Sequence, residues 1–220
     1  MVSCLRAGPK AGPVTKAGDA PVGFLPRWII MVAAGEALGF LIPASMGAWL
    51  GLTGAPDTVV YPAMIAAGAC EGALLGYGQW LGFGRGVVSR VPWIVATSAG
   101  AAVAWSLGML PGIQGGFDIS SPPTLALVTG GAMLLLVTIP SLQWLVLRRG
   151  GSQTLRWIPV NAGAWAAGLL WTTAPSPIVD ERTPAPLMIS VYAVAGLLMA
   201  VTVAALTGPT ARRIATGLAR

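Results

Sequence analysis

The chain has 220 residues, of which 55% are hydrophobic and only 9% charged, with a formal net charge of +6 and no histidine. Soluble chains are about 25% charged, so this one cannot cover a water-facing surface, and its main solvent is lipid. The basic residues stand in short stretches between apolar runs, without a basic, aromatic-interleaved face, which excludes nucleic acid as a partner. Lack of histidine removes the commonest metal ligand and general base.

Mean hydropathy is +0.75, and the apolar runs are continuous. A transmembrane β-barrel would alternate polar and apolar residues, so the expected class is all-α. At about 20 residues per span, the length allows six transmembrane helices and their loops.

Residues 1–27 are rich in Gly, Pro and Ala, with Arg6, Lys10, Lys16, Asp19 and Arg27. This composition predicts a disordered basic N-terminal tail; without an apolar core it is no cleaved signal peptide. Spans are expected over residues 28–51, 61–83, 92–110, 124–147, 157–173 and 187–206, followed by a basic tail over 209–220. Cys4 falls in the first tail and Cys70 in the second span, so no disulfide is expected. Of the 13 Lys and Arg, 12 lie in the two tails and the second and fourth loops. The other loops hold Arg182 with Asp57, Asp118, Asp180 and Glu181. The positive-inside rule then places both termini in the cytoplasm, with the chain multi-pass in the inner membrane.

A period of about 64 residues runs through the spans. Trp28, Trp93 and Trp157 each open an odd-numbered span and are each followed by Ile. Gln79-Trp80-Leu81 and Gln143-Trp144-Leu145 each close an even-numbered one. The third unit has Thr207-Gly208 there and has lost the motif. A fixed period of this kind marks repeated supersecondary units. The units are helical hairpins over 28–91, 92–155 and 156–208, and a pseudo-threefold bundle is their simplest arrangement. With Arg148 and Arg149, these motifs resemble a group of uncharacterised bacterial multi-span membrane proteins. That group is built of repeated helix pairs marked by Gln-Trp-Leu, then Arg, then a Trp opening the next helix. The resemblance covers residues 28 to about 170 and implies an architecture, without an activity.

Trp28, Trp80, Trp93, Trp144 and Trp157 are expected as anchors at the inner membrane boundary, where indole is favoured. Gln79, Gln143 and Asn161 are polar groups at depth. They serve as an inter-helix lock or as a polar ring at an inner pore mouth, and the lock is preferred. Gly68, Gly72 and Gly76 form a glycine zipper. Gly35-Gly39 and Gly47-Gly51 repeat its spacing, so the first two spans are expected to pack through these faces.

Glu36 and Glu71 stand eight residues after Trp28 and eight before Gln79. That puts both about 12 Å inside the boundary on neighbouring helices. An acid facing lipid costs at least about 2.5 kcal/mol, so both should turn inward, where a shared proton or bound cation would satisfy them. The alternative is a pair of protonated carboxyls bonded to backbone beside Pro43. No catalytic motif, metal-ligand cluster or cofactor signature occurs, so no enzyme is expected. The functional reading is a small proton- or cation-linked transporter or channel. The alternative is a non-catalytic membrane subunit or scaffold acting through helix packing with a membrane protein partner or a second copy.

Overall fold

The computed structural model describes residues 23–113, 116–177, 179–180 and 182–218. Most of the predicted basic tail, with Gln114, Glu181 and Arg220, lies outside them. Six α-helices follow one another: α1 Phe24–Leu52, α2 Asp57–Phe83, α3 Arg90–Ile113, α4 Pro122–Leu147, α5 Trp157–Thr173 and α6 Ala185–Leu218. Two short 3₁₀ turns, Arg148–Gly150 and Ser152–Arg156, link α4 to α5. Each helix packs on its sequence neighbours and α6 returns to α1, so the six close into a ring.

Five of the helices are long and apolar enough to cross a membrane. The exception is α5, whose 17 residues reach about 25 Å at 1.5 Å each, short of a hydrocarbon core of about 30 Å. Six full-length spans are therefore not matched. Large apolar side chains such as Ile30, Leu127, Leu170 and Ile189 stand exposed on the outer faces. An outer surface of this kind, on helices of this length, makes contact with a lipid bilayer.

Both tails are shorter than the composition suggests. Residues 24–27, assigned to the N-terminal tail, are the first turn of α1. Phe24 is buried and stacks on Trp28, and the Arg27 guanidinium donates to the carbonyls of Gly82 and Phe83 at 3.0 and 3.1 Å. A cation at the last carbonyls of α2 meets the negative end of that helix. At the other end α6 runs on through Pro209 to Leu218. Ala211, Ile214 and Ala215 are buried while Arg212 and Arg213 are exposed. This one-sided spacing keeps the segment on the bundle.

The core is densest at one end of the ring. Trp28, Trp93 and Trp157, from the starts of α1, α3 and α5, are fully buried. Trp157 lies 6.1 Å from Trp28 and 5.9 Å from Trp93, centroid to centroid. Phe83 fills the space between them, edge-on to Trp28 at 4.7 Å and to Trp93 at 5.3 Å. Aromatic pairs in such offset or edge geometry contribute roughly 0.5–1.5 kcal/mol each beyond area burial. The expected head-group anchoring does not hold for these three. Their rings are enclosed by protein and their N–H groups are spent on protein acceptors. Trp80, half-buried beside Tyr77 and the Arg90 guanidinium, remains at the periphery. Trp144 is half-buried, and its N–H is enclosed without an acceptor among the described residues.

Glycines set the helix separations. A methyl group added at Gly35 would stand 2.8 Å from the Leu74 carbonyl, and one at Gly78 would run into the Met31 carbonyl, so α1 and α2 meet backbone to backbone there. Gly68, Gly72 and Gly76 face α3 instead, against Trp105, Ala101 and Thr97. The expectation that they pack on α1 is thus corrected. The α1 side of α2 is carried by Gly78 and Gly82, which lie on a different stripe of the helix. At Gly51 there is open space, so the Gly47-Gly51 spacing is not used for close approach.

Candidate functional site

Beneath the aromatic layer lies a buried polar network. Gln143 Nε2 donates to Gln79 Oε1 at 2.7 Å and to Thr97 Oγ1 at 2.9 Å. Trp93 Nε1 donates to Gln79 Oε1 at 3.2 Å, and Trp157 Nε1 to Gln143 Oε1 at 2.8 Å. Trp28 Nε1 donates to the Ala204 carbonyl at 3.1 Å and to Thr207 Oγ1 at 3.2 Å. Each indole at the start of an odd-numbered helix is held from the second half of an even-numbered one. Buried amides in apolar surroundings require such partners. Asn161 is not part of this network: its amide is fully buried and neither side-chain atom finds a partner among the described residues. The residues absent from the sequence reading are Phe83 and Thr97, and Thr207 in the role of an acceptor. Only Thr207 had a signal, since it occupies the third place of the 64-residue period.

Eight residues further along, the helices surround a cavity of about 630 Å³. Glu36, Ala101 and Trp165 stand eight after the three buried tryptophans; Glu71, Leu135 and Met199 stand eight before Gln79, Gln143 and Thr207. All six line the cavity. From this floor it extends away from the tryptophan layer to Ala44, Met109 and Thr172, with walls that are almost wholly apolar.

Glu36 and Glu71 are brought together at the floor, adjacent across the α1–α2 seam. Glu36 is 2% exposed and Glu71 is 8% exposed, so neither carboxyl faces lipid. Glycines make this possible: a methyl at Gly39 would stand 2.9 Å from the Glu71 carbonyl and 3.3 Å from its Cγ. On the α3 side, the Trp105 ring lies flat against Gly68, where any Cβ would collide with it. From that position Trp105 Nε1 donates to Glu71 Oε2 at 2.6 Å.

Glu36 differs. Beyond the neighbouring Glu71 carboxyl, neither of its oxygens has a hydrogen-bond partner among the described residues, and the N–H of Trp165 on the same floor also has none. No Lys, Arg or His stands on the cavity wall, and the chain has no Lys or Arg between Arg27 and Arg85. An uncompensated buried carboxylate is costly, and two side by side are costlier still. Among the described residues no third acid, Cys or His joins them. Two carboxyls supply at most four oxygens, short of the six to eight that a protein-caged calcium ion takes.

Trp105, Trp165 and Thr97 were not legible as site residues, because nothing local in the sequence ties them to acids or amides on other helices. No protein-family model, curated protein or solved structure matches the chain, so the functional reading stands on its own residues.

Proposed function

We propose that the protein is a small proton- or cation-linked transporter of the inner membrane, with both termini in the cytoplasm and Glu36 and Glu71 as the ion-handling pair. The observation that carries this reading is the Glu36 carboxyl: buried, with no partner but a second acid, on the floor of a cavity. Ionisable groups held inside a membrane bundle mark ion pathways by default. The Trp28–Trp93–Trp157 layer and the glutamines close the bundle next to that floor. This favours a transporter that must open the layer over a permanently open channel. Reading the chain as three tandem hairpins is supported by the way each indole meets its acceptor on the preceding hairpin, with Thr207 serving Trp28 across the closure.

Proton flux into liposomes containing the purified full chain and an internal pH dye tests this. Flux in the unaltered protein, lost in both Glu36→Gln and Glu71→Gln, is the expected result. No flux in the unaltered protein ends the reading.

One observation favours the second reading, a packing subunit. The buried residues of α4 are confined to its last third, at Pro140, Gln143 and Leu147, and open space surrounds Gly130 and Gly131. A small-residue surface left bare in lipid suits another helix. A stoichiometric partner retained in mild detergent, and lost on Gly131→Leu, would carry this reading.

A further inference from the structure

We infer that the cavity is a binding site for a lipophilic organic cation. The ligand's charge would sit against Glu36, and its apolar body between the walls formed by Trp165, Phe40 and Tyr192. This rests on the reading of the carboxyl pair as the ion-handling site and names what that site takes.

Three features converge on this class. The first is size. A volume of about 630 Å³ falls in the ~300–1,000 Å³ range of sites that enclose drug-sized ligands, whereas a proton or small inorganic ion occupies only the floor. The second is chemistry. The wall is apolar, and its acids have no basic partner. An organic anion would be repelled. A neutral hydrocarbon would leave the Glu36 carboxyl as unmatched as it is now. A cation on an apolar body matches both wall and floor, and aromatic faces on the wall add cation–π attraction. The third is division of labour between the acids. Glu71 Oε2 already accepts from Trp105, while Glu36 has no partner but the neighbouring acid, so Glu36 is the carboxyl that meets the ligand and Glu71 is held in place beside it.

Access is available from the bilayer. Among neighbouring helices in the ring, α4 and α5 touch least, because α5 is short and the first two-thirds of α4 has no buried residue. Leu135, Leu136 and Ile139 of α4 and Leu169 of α5 line the cavity on the two sides of this seam. A membrane-soluble ligand reaches the floor there without passing the closed tryptophan end.

The test uses two ions of nearly the same shape and opposite charge, tetraphenylphosphonium and tetraphenylborate. Each is titrated against the full chain in nanodiscs, with empty nanodiscs subtracted. Saturable binding of the phosphonium at one per chain is expected, with quenching of tryptophan emission and no saturable binding of the borate. Glu36→Gln should weaken the phosphonium by at least about ten-fold, and Glu36→Asp should restore most of it. Should Glu36→Gln fail to fold, Leu136→Trp fills the cavity from the α4 side without altering either acid and should also abolish binding. Equal binding of both ions, or no saturable binding, overturns the inference, as does a folded Glu36→Gln protein that binds like the unaltered one. Proton flux without phosphonium binding would remove this inference and leave the ion-handling pair. Phosphonium binding without flux would keep the site and remove proton-linked transport.

Discussion

Gln143 donates to Gln79 at 2.7 Å although the two are 64 residues apart, and each amide oxygen also accepts from a buried indole, Trp157 and Trp93 respectively. The pair joins α2 to α4 through the middle of the bundle and carries the aromatic layer with it. Replacing either glutamine breaks the amide–amide bond and leaves a buried indole N–H without its acceptor, Trp157 for Gln143 and Trp93 for Gln79, which costs about 1–3 kcal/mol. Gln143→Leu and Gln79→Leu should each lower stability by that order. The double variant should lose less than the two losses combined, because the bond between the two amides is broken in both single variants and can be lost only once. Thermal unfolding in detergent, read as a double-mutant cycle, measures the difference; strict additivity would mean that the bond contributes nothing.

The position of Trp105 depends on the missing side chain at Gly68. A Cβ there collides with the indole, so Gly68→Ala should push the ring off Glu71 and break the 2.6 Å bond. The expected readout is a changed near-ultraviolet dichroism, with a loss of the order of 1–3 kcal/mol from overpacking. Gly163→Ala is the control. No atom lies within 4 Å of a Cβ at that position, and alanine is favoured over glycine in a helix by up to about 1 kcal/mol. This variant should therefore be neutral or more stable.

Burial of three tryptophans separates the nine indoles into distinct classes. Trp28, Trp93 and Trp157 are fully buried, whereas Trp49 is 60% exposed and Trp171 is 40% exposed. In bilayers of brominated lipid, Trp49→Phe should remove a large share of the quenchable emission, and Trp28→Phe very little. Equal loss from the two variants would mean that Trp28 faces lipid after all.

Orientation is testable by cysteine labelling. In a chain with Cys4→Ser and Cys70→Ala, single cysteines at Asp57, Asp118 and Asp180 should react with an impermeant reagent added outside intact cells. Cysteines at Ser89 and Gln153 should react only after the membrane is opened. The Gln153 and Asp180 pair also decides whether α5, short as it is, carries the chain across. Labelling of both from one side would place it as a re-entrant segment.

The amino-acid sequence was most informative where a property follows from local composition. The 17 residues of α5 are readable to their ends, because an apolar run is bounded there by Arg156 on one side and Pro175 on the other. The extension of α6 past Pro209 was missed. Gly208 and Pro209 read as a stop, and the spacing of Ala211, Ile214 and Ala215 is interrupted by the pair Arg212 and Arg213. Placing Glu36 and Glu71 at one depth needed only the rise of a helix, since each is counted from a boundary residue.

The direction in which side chains face was a different matter. An indole at a helix start has the same local signature whether it meets a lipid head group or a protein acceptor. Trp28 turns inward because the Ala204 carbonyl and Thr207, more than 170 residues away, stand ready to accept from it. The cavity, the collision that Gly68 avoids and the orphaned carboxyl of Glu36 likewise depend on how each helix is rotated about its own axis when the ring closes. Composition and spacing determined the solvent, the greater part of each helix and the shared level of Glu36 and Glu71, since those depend on free energies summed along one segment. Only the tertiary structure decided which residues meet, because the rotation of a helix is set by contacts with chain far away in sequence.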